Sequence, residues 1–412
     1  MNATISSSQS KLDYISIFNN MFATFSVCVG LGMTAVLFPV SLENSNVPSS
    51  YIGIIMALET VASFLICFLL PNILKHMGMS IGMVFTLFFR VLPLSLILFS
   101  DNIVVWGAVV FFYAIGCYTF LLLTQVWVNS IKFGSRLAVW MAIYSTAMSI
   151  GLAFGPILLN LIDSFPSLFT KLIQPIWYPI TLLHGESQFD ANKLKFLVAM
   201  LINLLATFPI LVSLKKIPKF SFSQSPKLFE TIFKCKGPMF AISLAGVSMF
   251  GVSAFITVYG LRNSLTLTDA ALLLTFFNLG AIFLEIPVGY LSSKLDKRYV
   301  IVSCAFLCMV CAVYLPIVIY VNYQAWLLVF VWGGVIGSIY SLALTIIGER
   351  FSGEELISAN AGYSVMEGIG GTIGIIVIGF SMDLLGYDGF PYTIMLASVL
   401  YFSFALTRYR VV

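Results

Sequence analysis

The sequence predicts an all-α polytopic membrane protein: twelve transmembrane helices in two pseudo-symmetric six-helix halves. Three observations carry this expectation. The chain of 412 residues is 60% hydrophobic and 9% charged, with a mean hydropathy of +1.02, whereas soluble domains carry about 25% charged residues. Apolar runs long enough to cross a bilayer recur, without the alternating pattern of an outer-membrane barrel strand. Finally, the stretch Lys132 to Leu161 returns 219 residues later. At that shift Gly134/Gly353, Leu137/Leu356, Ala142/Ala361, Tyr144/Tyr363, Ser145/Ser364, Gly151/Gly370, Gly155/Gly374 and Ile157/Ile376 are identical. A shift of about half the chain marks an internal duplication.

In chain order the spans are expected near 14–38, 50–70, 80–99, 102–131, 137–162, 193–213, 239–262, 267–291, 299–320, 325–349, 355–382 and 390–407. A helix satisfies its own backbone hydrogen bonds, which lipid cannot do for it. The domains follow as 1–213, a basic linker 214–238, and 239–412. An even number of spans puts both termini on one side. Placing them in the cytoplasm puts 16 of the 21 Lys and Arg there. Lys171, Lys193, Lys195 and Arg262 then lie outside and Arg90 within a span. That bias is the positive-inside signal, and it also accounts for the net charge of +4 without nucleic acid. The linker holds six Lys against one Glu and reads as a solvated hinge beside anionic headgroups. The outer loop Asp163 to Asn192, with Phe165, Phe169, Trp177 and Tyr178, is expected to lie along the membrane surface. Thirteen mostly polar residues precede the first apolar span, so no cleavable signal peptide is expected.

The chemistry reads as transport rather than catalysis. No Gly-x-x-x-x-Gly-Lys-Ser/Thr loop and no catalytic His/Ser/Asp set is visible. His76 and His184 are the only histidines, and six of the seven cysteines sit in apolar spans, so neither a metal nor another cofactor is expected. Cys304, Cys308 and Cys311 read as small packing residues.

Charges inside a span cost about 2.5–3.5 kcal/mol each on insertion scales, which singles out Glu59, Arg90, Glu285 and Glu367. Glu59 and Arg90 are expected to relieve each other as an ion pair. Arg90 is alternatively an anchor for a substrate carboxylate. Glu285 begins Glu-x-Pro-x-Gly and is read as serving backbone groups freed by Pro287. Glu367 shares a helical face with Tyr363 and Ser364, and its counterpart in the first copy is Met148. A low dielectric disfavours a charged carboxylate relative to its neutral form, so Glu367 is the candidate for reversible protonation. Gly151 and Gly155, four residues apart, are candidates for close helix packing together with Pro156, as are Gly370 and Gly374. They are expected to form the seam along which the halves rock.

Two six-span halves with a basic central loop resemble the major facilitator superfamily of secondary transporters. Local motifs add to the likeness. That family carries Gly-x-x-x-Asp-Arg-x-Gly-Arg-Arg after spans two and eight. Here the second copy runs from Gly289 through Ser293 to Asp296, Lys297 and Arg298, and the first is a worn Pro71 to Gly78. Ser293 and Lys75 replace the Asp, which puts the family's charge latch in doubt. Gly151-Leu152-Ala153-Phe154-Gly155-Pro156 is similar to an element of the exporters, and Gln125 to Asn129 with Gly348 to Asn360 resemble a bacterial branch of drug or metabolite exporters. The resemblance implies a central cavity lined by spans one, four, seven and ten. Its polar candidates are Asn19, Asn20, Tyr118, Thr119, Gln125, Ser253, Thr257, Tyr340 and Ser341, with the repeated Tyr144 and Tyr363 counted beside them. It further implies a monomeric, proton-coupled carrier of a small organic molecule in the bacterial inner membrane, with export favoured over nutrient import.

Overall fold

A computed structural model describes residues 2–100, 102–130, 137–171, 175, 191–213, 228–351 and 353–409. Every regular element among them is a helix. Eleven are long and apolar enough to cross a membrane: Ile15–Asn44, Ser49–Ile66, Gly78–Ile97, Ile103–Val128, Ile143–Ser164, Asn192–Ser213, Lys236–Arg262, Leu267–Lys294, Lys297–Val318, Asn322–Arg350 and Gly362–Leu385. A shorter apolar helix, Gly389–Ala405, completes twelve. These are spans 1 to 12 below, and they agree with the expected order to within several residues. Most of the loop between spans 5 and 6, and the linker over 214–227, lie outside the described residues.

Spans 2 and 3 are not separated by a loop. One helix runs Ser49–Ile97 and is broken only at Gly78, whose φ of 73° and ψ of 161° are open to glycine. The worn motif thus continues span 2 up to the break; its side chains from Pro71 to Met77 lie outside the described residues.

The chain forms two compact units, Met1–Leu37 with Gly78–Phe220, and Phe38–Met77 with Ser221–Val412. The end of span 1 and all of span 2 cluster with the second half of the sequence. Close backbone approach explains it. A methyl on Gly53 of span 2 would stand 2.8 Å from the Ile375 carbonyl oxygen of span 11, and Thr60 and Thr372 share a hydrogen bond of 2.7 Å.

Within the first unit, span 5 lies on span 1. A Cβ at Gly151 would meet Phe25 O at 2.6 Å and Cys28 Cβ at 2.7 Å, and one at Gly155 would overlap Gly32 and Met33. Within the second unit, Gly370 and Gly374 of span 11 do the same against Ser243 and Val247 of span 7. The glycine seams therefore lie inside each copy of the repeat, not along a line between the copies. An i, i+4 glycine pair marks a close approach but does not say which helix approaches. At the end of span 5, Lys195 Nζ lies 2.7 Å from Asp163 Oδ1 and ties span 6 to span 5.

The cysteines pack as expected. Cys304, Cys308 and Cys311 are buried, and Trp332 Nε1 donates to Cys308 Sγ at 3.2 Å. Cys235, just before span 7, is buried too, and burial pushes its thiol up despite the opposing pull of Arg350 and Arg298. The thiolate is the reactive form, so Cys235 is expected to resist a maleimide in the folded protein and to react only on denaturation.

Candidate functional site

The duplication places the same polar bond in both units. Tyr144 OH of span 5 donates to Leu121 O of span 4 at 3.0 Å, and Tyr363 OH of span 11 donates to Tyr340 O of span 10 at 2.8 Å. Donors and acceptors are both 219 apart, so the repeat extends to spans 4 and 10. A buried phenol needs such an acceptor, and both side chains are nearly inaccessible. Each Tyr→Phe change is expected to cost about 0.5–1.5 kcal/mol of stability, read as a lower unfolding temperature in detergent.

Around this shared bond the two units differ in chemistry. In the first, the surroundings are neutral. Thr124 Oγ1 shares a 3.0 Å hydrogen bond with Tyr144 OH, and Asn20 Nδ2 donates to Thr124 O at 3.3 Å. Spans 1, 4 and 5 meet there, with Ile17, Met21, Val128, Trp140 and Met148 packed against Tyr144. Among the described residues, Asn20 Oδ1 and Thr119 Oγ1 are buried without a hydrogen-bond partner. Asn19 Nδ2 donates to Ser213 Oγ at 2.9 Å, Tyr118 is half-buried, and Gln125 is exposed.

Arg90 is wholly buried in this unit. It donates to Asn203 O at 3.3 Å and to Thr207 Oγ1 at 3.1 Å, and its guanidinium carbon lies 4.4 Å from the centre of the Phe120 ring. Gly116 makes room for it, since a Cβ there would stand 2.9 Å from Arg90 Cγ. A carbonyl, a hydroxyl and a π face hold the cation. Glu59, the partner expected from sequence, is in the segment belonging to the second unit. Asn203, Thr207 and Thr124 were not among the sequence candidates, because a lone Asn or Thr in an apolar helix gives no sign of which neighbour it faces.

In the second unit the surroundings are acidic. Ser341 Oγ of span 10 donates to Glu285 Oε1 of span 8. This bond gives Glu285 a partner on another helix. The Tyr340 and Tyr363 rings meet edge to face with centroids 5.1 Å apart. Both phenols lie within electrostatic reach of Glu285 and Glu367. Glu367 is half-buried where span 11 touches span 7, with Gly246 against its carbonyl oxygen. Among the described residues no hydrogen bond or ion pair reaches its carboxylate. Spans 8, 10 and 11 thus gather two carboxyls and two phenols, with no Lys or Arg among the described residues bonded to them. Of the span 7 candidates, Ser253 is half-buried, and Thr257 is buried with no partner for its hydroxyl among the described residues.

The motif after span 8 is structural at its end. Asp296 caps span 9 by accepting from Arg298 N at 2.9 Å, and Lys297 pairs with Glu349 at the end of span 10. Ser293 Oγ turns back to Tyr290 O at 2.7 Å, and Gly289 meets nothing within 4 Å. Ser293 therefore bonds its own helix rather than another segment. No group of three or more His, Cys, Asp or Glu able to hold a metal exists among the described residues.

Known proteins share this architecture. Residues 238–411 match the model of the Major Facilitator Superfamily. An uncharacterized MFS-type transporter, YfkF of Bacillus subtilis (strain 168), is 24% identical over 310 residues, covering 71% of this chain and 70% of its own. A crystal structure of a point mutant of the nucleoside transporter NupG superposes with a TM-score of 0.73 at 11% identity, over 95% of this chain and 99% of that one. A bacterial homologue of the human lysosomal transporter Spinster, inward-facing and occupied, gives 0.75 at 12% identity over 97% of both chains. The second half of the chain, residues 238–411, thus matches the Major Facilitator Superfamily, and nearly the whole chain shares the fold of these solved transporters.

Proposed function

We propose that the protein is a proton-coupled secondary transporter that moves a small organic molecule by alternating access. The observation that carries this reading is the acidic cluster of Glu285, Glu367, Tyr340 and Tyr363, built on a tyrosine–carbonyl bond that the first unit repeats with neutral neighbours. A duplicated scaffold with acid on one side only separates two jobs. The second unit would exchange a proton at Glu367, whose charge no bonded partner among the described residues fixes. The first would meet the organic molecule, with the buried Asn20 Oδ1 and Thr119 Oγ1 offered to its polar groups. An unmet buried acceptor costs about 1–3 kcal/mol, which a hydroxyl or amine of the cargo would recover.

The positive-inside bias supports cytoplasmic termini in a bacterial inner membrane, and the exporter-like Gly151 to Pro156 element supports outward movement. The test begins with an untargeted metabolite comparison of cells with and without the protein. The molecule it identifies is then offered to acidified everted vesicles. Release of protons on adding it is expected for antiport. Uptake together with protons into right-side-out vesicles would instead make the protein an importer. Binding without movement in either would overturn the transport reading.

A further inference from the structure

We propose that Glu43 and Arg262 form an outer latch: a forked ion pair between the matching ends of spans 1 and 7 that holds the exterior end closed and must part before it opens. The word outer rests on the orientation proposed above.

The pair is bidentate. Arg262 Nε donates to Glu43 Oε1 at 2.7 Å and Nη2 to Glu43 Oε2 at 2.6 Å, while Nη1 donates to Ser49 Oγ at 2.7 Å. Such a fork fixes direction as well as distance. Arg262 also lies over the Tyr387 ring, 5.4 Å from its centre. Beside it, Asp383 of span 11 accepts from the backbone N–H groups of Ser49 and Ser50, each at 2.9 Å. A carboxylate there suits the start of span 2, where helix N–H groups lack partners. Tyr259 OH donates to Asp388 Oδ1 at 2.8 Å. All these residues belong to one unit, yet Glu43, Ser49 and Ser50 come from the first copy of the repeat and the others from the second.

The positions add a second, independent observation. Glu43 and Arg262 are 219 apart, the repeat shift itself. Around them Leu42/Leu261, Asn44/Asn263 and Ser45/Ser264 are identical, so the charged position is the one that differs. A residue touches its own counterpart only where two copies approach about the axis that relates them. In a dimer of identical chains a charge placed there would meet itself and repel. The duplicated chain has opposite signs at that point, and so gains an attraction that symmetry would forbid.

The pair is also built to separate. The side chains keep 16% and 21% of their exposure, so water reaches them. The contact below it, between Gly53 and Gly379 faces of spans 2 and 11, is backbone on backbone. At these two glycines no side chains interlock, and the next contact below is the single hydrogen bond between Thr60 and Thr372.

The test uses a cysteine at Ala57. This residue is 2% exposed and one turn below Gly53 on the face turned to span 11. In right-side-out vesicles a membrane-impermeant maleimide is expected to label Ala57→Cys slowly, with the unmodified chain as blank. Adding Glu43→Gln is expected to speed labelling by about tenfold, the factor that roughly 1.4 kcal/mol represents. Exchanging the charges, Glu43→Arg with Arg262→Glu, is expected to bring the slow rate back, and it keeps the test open should Glu43→Gln fold poorly. An unchanged rate in Glu43→Gln, or a fast rate that the exchange does not reverse, would overturn the latch. Labelling seen only in inverted vesicles would overturn its outer placement, and with it the orientation, while leaving the transport assay above to stand or fall separately.

Discussion

Glu367→Gln is expected to abolish gradient-driven transport while sparing exchange of cargo across the membrane. Glutamine has the shape of a protonated glutamate and cannot release the proton. The carrier would therefore still bind and move its cargo, but without coupling that movement to proton flow. The size of the effect follows from the driving force. A potential of 100 mV supplies about 2.3 kcal/mol per charge, so a neutral molecule exchanged for one proton reaches a concentration ratio of roughly 50, at tenfold per 1.4 kcal/mol. In proteoliposomes Glu367→Gln is expected to bring that ratio to about 1, with counterflow of labelled cargo retained. Glu285→Gln makes the comparison sharp. Glu285 already accepts from Ser341, so neutralising it should weaken the span 8 to span 10 contact without uncoupling transport. Unaltered accumulation in Glu367→Gln would remove Glu367 from the coupling role, and lost accumulation in Glu285→Gln alone would transfer that role to Glu285.

The sequence made the helices legible, since few charges over long apolar runs leave the backbone no other solution in lipid. It also made the repeat legible, and with it Tyr144 and Tyr363 as paired positions, though not the bonds they make. What it could not convey was partnership between helices. Arg90 is conspicuous in an apolar span, and pairing it with the nearest conspicuous acid, Glu59, was the natural expectation. Within its own unit its hydrogen bonds go to a carbonyl of Asn203 and the hydroxyl of Thr207. Neutral oxygens of this kind are common in every span and stand out in none. Glu43 and Arg262 were hidden for a different reason. Each looks like an ordinary charge at a wet helix end, and only the fold brings position 43 to position 262. Gly151 and Gly155 showed a related limit: their spacing announced a close approach, and the structure supplied span 1 as what approaches.

Gly280→Ala in span 8 and Gly333→Ala in span 10 are each expected to lose about 1–3 kcal/mol of stability or more, the range for forced overpacking. The two spans cross with their backbones in contact. A methyl on Gly280 would overlap the Phe330 carbonyl, and one on Gly333 would overlap the Phe277 carbonyl, three residues before the opposite glycine in each case. A carbonyl in a helix cannot turn aside, because it is already bonded four residues on. Either methyl must therefore push the helices apart. The two costs should not add, because the first displacement makes room for the second methyl. Gly289→Ala in the same span is the control. Nothing lies within 4 Å of its Cβ position, and replacing a mid-helix glycine gains about 0.5–1 kcal/mol, so it should raise the unfolding temperature. These glycines were silent in the repeat, since their first-copy counterparts are Val61 and Ala114. Glu285 lies five residues beyond Gly280, and Ser341 eight beyond Gly333, so a splayed crossing would also draw Ser341 away from Glu285. Thermal unfolding in detergent, read by loss of the monodisperse peak, separates the variants. Wild-type stability in both alanine variants would show that the crossing has slack, and that the Ser341–Glu285 contact is positioned by something other than these two glycines.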